Sequence, residues 1–270
     1  MLNELPERTF DVGIAEGHAV TFAAGLAAAG KVPFCAIYST FMQRAYDNVI
    51  HDVAIQHLPV VFCLDRGGLV GEDGVTHHGL FDMAAFAAVP SLTIAAPSNE
   101  RELRNMMYSA LNSGVPYMIR YPRGGGEGVA WRGEPFETIP TGRGRCLREG
   151  EGVAVLTIGT TASAATRAIE RAAKEGISAA HYDLRFVKPL DEALLEEVAA
   201  KFKRVITVED GSLRGGVGEA VSAYMNDHGH RISVTRLGIA DAWVEQGTPA
   251  ELYALCGFDE EGIYRALCEA

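Results

Sequence analysis

Short apolar runs rich in β-branched residues recur along the chain. The first set is Val32–Tyr38, Val60–Asp65, Leu92–Ala96 and Tyr117–Tyr121, and the second is Val153–Ile158, Ala179–Leu184, Arg204–Val208 and Ile232–Leu237. Runs this short and this continuously apolar fit parallel strands buried on both faces. Between them the apolar spacing lengthens to that of a helix: Val20, Ala23, Ala24 and Ala27, then Ala45, Val49, Ile50, Val53 and Ala54, then Leu194, Leu195, Val198 and Phe202. Local punctuation supports these helices. Asn99 with Glu102 reads as a capping box after Pro97, Asp191 as an N-cap, and Gly176 as the stop of a helix over Ala164–Glu175. Alternating strands and helices predict an α/β protein in which mainly parallel sheets are flanked by helices.

From Gly124 to Gly152 the periodicity fades and Gly, Arg, Glu, Pro and Thr take over. This break predicts two domains, residues 1–125 and 151–270, joined by a linker over 126–150. A chain of 270 residues gives each domain a core of its own.

Charge narrows the function classes. The net charge is -11, and no basic run exists to form a nucleic-acid-binding face. A few local arginines can still hold a phosphate. No apolar run reaches membrane-spanning length, and the first residues lack the basic and apolar regions of a signal peptide. The five cysteines, Cys35, Cys63, Cys146, Cys256 and Cys268, are odd in number and not at metal-ligand spacing. Reduced core thiols in a cytoplasmic protein are expected, with no metal site.

Candidate chemistry follows the ends of the strands, where open α/β sheets place their ligands. Glu16 stands where an apolar segment gives way to a helix, and either a buried acid or a plain dipole-complementing glutamate fits that place. Tyr38, Phe41 and Arg44 follow one strand. A long Gly-rich loop follows the next and carries Arg66, Asp73, His77 and His78. Long loops of this kind are more often functional than not. Adjacent histidines point apart on most backbones, so one catalytic and one structural histidine are expected. Arg123 follows a further strand. The glycines around Glu209, Asp210 and Gly216 do not match a nucleotide-binding spacing and fit close helix–strand approach instead.

Read together, the strings IAEGHAV, AIYSTFMQRAYDNVIHDVAIQHLPV, DRGGLVGEDGVTHHG, APSNERELRNMM, RYPRG and LRFVKPLDEALL resemble the C-terminal half of the 1-deoxy-D-xylulose-5-phosphate synthase family. That family is thiamine-diphosphate-dependent and transketolase-like. The resemblance covers essentially the whole chain. It implies a pyrimidine-binding domain over 1–125 and a transketolase C-terminal domain over 151–270. The domain that holds the diphosphate through Mg²⁺ is not expected here, because its Gly-Asp-Gly and Asn signature is missing. By resemblance, Glu16 bonds the aminopyrimidine N1′ and Phe41 stacks on its ring. Tyr38, Arg44, Asp73 and His77 surround the substrate carbonyl, and Arg66 and Arg123 hold the phosphate of glyceraldehyde 3-phosphate. The implied reaction joins pyruvate to that aldehyde, releases CO₂, and feeds isoprenoid, thiamine and pyridoxal precursors. The implied partners are a second copy and an N-terminal diphosphate-binding domain or subunit. Rival readings are a small transketolase subunit, a 2-oxoacid dehydrogenase β subunit, or an inactive fragment or dimerisation module. One departure stands beside Glu16: the family pattern has Gln where this chain has Gly17. Glycine there weakens the first helical turn by roughly 1 kcal/mol.

Overall fold

The computed structural model describes residues 3–269. Its first sheet has the order β1-β2-β4-β3-β8, with β1 Phe34–Tyr38, β2 Val61–Asp65, β3 Thr93–Ala95, β4 Tyr117–Arg120 and β8 Phe186–Lys188. Its second sheet has the order β10-β9-β6-β7-β5, with β5 Arg145–Arg148, β6 Val153–Thr157, β7 Ala179–Asp183, β9 Arg204–Ser212 and β10 Ser233–Ile239. Four strands of each sheet are parallel, and β8 and β5 are the antiparallel edges. The parallel strands are the apolar runs of the sequence, and β2, β4 and β6 are buried almost throughout.

Helices flank both sheets: α1 Glu16–Ala28, α2 Tyr46–Asn48, α3 Asp82–Ala87 and α4 Glu100–Leu111 in the first half, then α5 Thr161–Lys174, α6 Glu192–Lys201, α7 Val217–Asp227, α8 Pro249–Cys256 and α9 Glu260–Cys268. The helix expected over Ala45–Ala54 is a composite. A 3₁₀ stretch over Ser39–Ala45 passes through α2 into a π-helix over Val49–Ala54. Asp191 caps α6 by accepting the Leu194 N–H, and Gly176 follows α5 with φ 86°.

Two sequence expectations need correction. The stretch 126–150 is not a free linker, because its end forms β5 and Arg101 and Arg104 of α4 donate to the carbonyls of Ala130, Trp131 and Glu134. Asn99 does cap α4 by accepting the Glu102 N–H at 3.0 Å, but no capping box closes. The Glu102 side chain turns away to Arg145 and Arg185, at 3.0 and 2.8 Å. The halves are also interlocked, since β8 crosses from the second half to extend the first sheet. Among the described residues, no helix is long and apolar enough to cross a membrane. Cys35 and Cys63 are buried free thiols, pushed up by burial to about 11 and about 12, whereas Cys146 and Cys268 are exposed.

Candidate active site

The parallel strands of the first sheet end on one side, and each passes into a chemically loaded segment. β1 ends at Tyr38 and runs into the 3₁₀ stretch that carries Phe41 and Arg44. β2 ends at Asp65, and Arg66 after it adopts φ 60°, a strained setting for a residue with a side chain. β4, the neighbour of β2, leads through Tyr121 and Pro122 to Arg123.

Glu16 opens α1, where a carboxylate complements the positive helix end. Only 12% of its side chain is exposed, and Arg44 Nη1 donates to its Oε1 at 2.8 Å. The Arg44 guanidinium also lies over the Phe41 ring, 4.7 Å from its centroid. Phe41 stacks with Tyr38 at 5.7 Å and meets the His77 ring edge-on at 5.3 Å. Tyr38 in turn carries the Arg66 guanidinium at 3.8 Å, and Asp65 holds Arg66 at 2.8 Å. Two stacked rings thus lie between two cations, each cation held by a carboxylate, from Glu16 to Asp65. Ile14 is 93% exposed, and the partner of Glu16 is Arg44.

The Gly-rich loop is pinched at its ends, where Gly68 and Gly79 exchange N–H···O bonds of 2.8 Å. Its two histidines sit in different surroundings. His78 is buried. Its Nδ1 accepts the Val70 N–H at 3.1 Å, which leaves Nε2 to donate to the Glu245 carbonyl at 3.3 Å. His77 is half-buried, faces Phe41, and sets Nδ1 2.9 Å from Thr76 Oγ1. Asp73 departs from the sequence grouping. Arg123 Nη1 donates to Asp73 Oδ2 at 2.8 Å and to the Val70 carbonyl at 3.2 Å.

Arg66 and Arg123 line one cavity of about 430 Å³, with Asn99, Tyr121 and Thr160 in its wall. Arg66 Nε is buried without a hydrogen-bond partner. Glu100 and Glu127 share the wall, so any anion there competes with two carboxylates. Sequence reasoning overlooked Asp65, which orients Arg66, and Thr160, which reaches the cavity from the second half. It also overlooked the role of Asp210 beneath the loop. Asp65 was visible only as the last residue of an apolar run, and the other two only through tertiary contact. Among the described residues, no group of three or more His, Cys, Asp or Glu is placed to hold a metal ion.

Two family models divide this chain. "Transketolase, pyrimidine binding domain" matches residues 3–127, and "Transketolase, C-terminal domain" matches residues 142–263. The chain belongs to the transketolase-like family, with both of these domains. Over nearly its whole length it is similar to 1-deoxy-D-xylulose-5-phosphate synthases. It is 58% identical over 269 residues to that of Bacteroides fragilis and 57% identical over 269 residues to that of Bacteroides thetaiotaomicron, in each case across 99% of this chain and 41% of the relative. The chain therefore spans about two-fifths of the length of these curated relatives. Among solved structures, one described as "Split gene transketolase, inactive beta4 tetramer" superposes with a TM-score of 0.89 at 29% identity, covering 99% of this chain and 86% of that one. A transketolase mutant from Pichia Stipitis shares the fold, with a TM-score of 0.76 at 20% identity over 95% of this chain and 37% of its own.

Proposed function

We propose that this chain supplies the pyrimidine-side half of a thiamine-diphosphate site, in an enzyme that joins pyruvate and glyceraldehyde 3-phosphate into 1-deoxy-D-xylulose 5-phosphate and CO₂. One observation carries the reading: the Arg44 guanidinium, a planar N–H donor, lies over Phe41 while it bonds Glu16. An aminopyrimidine has the same flat shape, and its N1′ offers an outward N–H donor when protonated, so Glu16 and Phe41 fit it. When bound, thiamine diphosphate supplies the nucleophilic carbon and the electron sink for decarboxylation. Glu16 then holds a proton at the pyrimidine N1′ through its carboxylate, and Phe41 fixes the plane of the ring. Arg44, released from Glu16, is free to meet the carboxylate of pyruvate. His77, beside Phe41, holds a proton near the substrate oxygen, with Tyr38 completing that wall. Arg66 and Arg123 hold the phosphate of the aldehyde as a forked pair, and Asp73 keeps Arg123 oriented.

The diphosphate and its Mg²⁺ belong to a complementary domain or subunit, and a homodimer is the expected assembly. The similarity at 58% identity to proteins named 1-deoxy-D-xylulose-5-phosphate synthase favours this substrate pair. A second reading, a subunit of a split transketolase, is favoured by the 86% coverage of the split-gene chain. The two separate by substrate. With a matching diphosphate-binding half, cofactor and Mg²⁺, pyruvate with glyceraldehyde 3-phosphate should turn over and a ketose phosphate donor should not. The reverse preference would establish the transketolase reading. Turnover by this chain alone would overturn the half-site claim.

A further inference from the structure

We propose that Asp210 and His78 are positioning residues, through which the second half of the chain holds the loop from Arg66 to Gly79 in place. Asp210 lies in β9 of the second sheet and is almost fully buried. Its carboxylate accepts the Leu69 N–H at 3.0 and 3.3 Å, and Tyr253 of α8 donates to it at 3.3 Å. Arg120, at the end of β4, donates to the Asp210 carbonyl at 2.9 Å, to the Gly79 carbonyl at 3.3 Å and to Asp82 at 2.8 Å. Both ends of the loop therefore rest on one buried cluster shared by the two halves. His78 adds a further tie, from Val70 across to the Glu245 carbonyl.

The glycines of the loop record the same approach. A Cβ on Gly68 would stand 2.0 Å from Asp210 Oδ2, one on Gly71 3.1 Å from Pro249 Cδ, and one on Gly74 3.2 Å from Gln246 Cβ. All three have positive φ, at 87°, 87° and 69°. The loop is thus shaped against the segment 245–249 and Asp210, while Asp73 and His77 project from its other parts toward Arg123 and Phe41. A carboxylate is an expensive way to stabilise a buried interface, and apolar packing does it as well. What a carboxylate adds is a directed grip on one backbone amide. The functional consequence rests on the proposed roles of His77 and Asp73, whereas the grip itself does not.

Hydrogen exchange in the full chain tests the inference without cofactor or turnover. In Asp210→Asn, which removes the charge and one of the two acceptor oxygens, amides from Leu69 to Gly79 should exchange faster by about tenfold, the scale of a charge-assisted hydrogen bond lost to a neutral one. Protection in β6 and β7 should stay unchanged, and the His77 imidazole resonances should move. Tyr253→Phe, which keeps the carboxylate and the packing, should give the same local pattern at smaller size. Unchanged loop exchange in a folded variant, or acceleration spread evenly over both sheets, overturns the proposal. If Asp210→Asn does not fold, an unaltered loop in Tyr253→Phe overturns it equally. Because neither readout needs thiamine chemistry, failure here leaves the proposed function standing, and loss of that function leaves the exchange result intact.

Discussion

Two glycines show how much single atoms decide. Gly68 has φ 87°, and an added Cβ would fall 2.0 Å from the Asp210 carboxylate. Gly68→Ala combines left-handed strain with overpacking and should cost about 2–4 kcal/mol in urea unfolding. A loss below about 0.5 kcal/mol would mean that the loop yields easily. Gly17 is the opposite case. Its φ suits any residue, yet a Cβ would meet Asn48 Oδ1 at 3.0 Å, and Asn48 is held by bonds to Thr21 and Asp52 at 3.1 and 3.2 Å. Replacing a helical glycine by Ala returns about 1 kcal/mol where space allows. Here Gly17→Ala should return less than half of that, and the full gain should appear only when Asn48→Ala is added. A double-mutant cycle measures this coupling, expected at about 0.5–1 kcal/mol. Additive effects would show that Asn48 does not constrain Gly17.

At the scale of elements, local and non-local signals separate cleanly. The eight parallel strands were legible as short, mostly apolar runs. β5 and β8 were not, because β5 is largely exposed and charged, β8 has three residues, and both are antiparallel edges set by tertiary pairing. In the same way Asn99 announced α4, but nothing local foretold that Glu102 would leave its cap for Arg145 and Arg185. The candidate site residues other than Glu16 stood out as segments after strands, whereas their contacts did not: Arg44 on Glu16 and Asp73 on Arg123 join segments far apart in sequence. Glu102 is nearly buried and serves two arginines. Glu102→Ala should cost about 3–5 kcal/mol, because both guanidinium groups lose their shared counter-charge. Thermal unfolding checks this, and a cost under about 1 kcal/mol would show that water replaces the carboxylate.

Across the whole molecule, buried ionisable groups set opposing pH trends. Burial, with Arg145 nearby, pushes His181 down to about 4 from 6.5. Its contribution is fully present above pH 6.5 and is lost as pH falls toward about 4, a span of up to about 3 kcal/mol. Burial pushes Asp210 up to about 6 and Glu209 up to about 7, against the N–H bonds and the arginine each receives. Their contributions run the other way: they are present at low pH and lost as pH rises toward those values. His181→Gln should therefore flatten the loss of stability below pH 6.5 and leave the decline at higher pH in place. An unaltered acid limb in denaturant titrations would contradict this account of His181.

The second half of the chain extends the first by a strand in its sheet, and in the proposed function the two together supply one side of a cofactor site. The most direct measurement joins this chain to a matching diphosphate-binding half and follows 1-deoxy-D-xylulose 5-phosphate formation from pyruvate and glyceraldehyde 3-phosphate, with thiamine diphosphate and Mg²⁺. The account predicts turnover in the mixture and a fall of about 100-fold or more in Glu16→Gln, the scale of losing a positioned proton-transfer group. No turnover in the mixture, or undiminished turnover in Glu16→Gln, would contradict it.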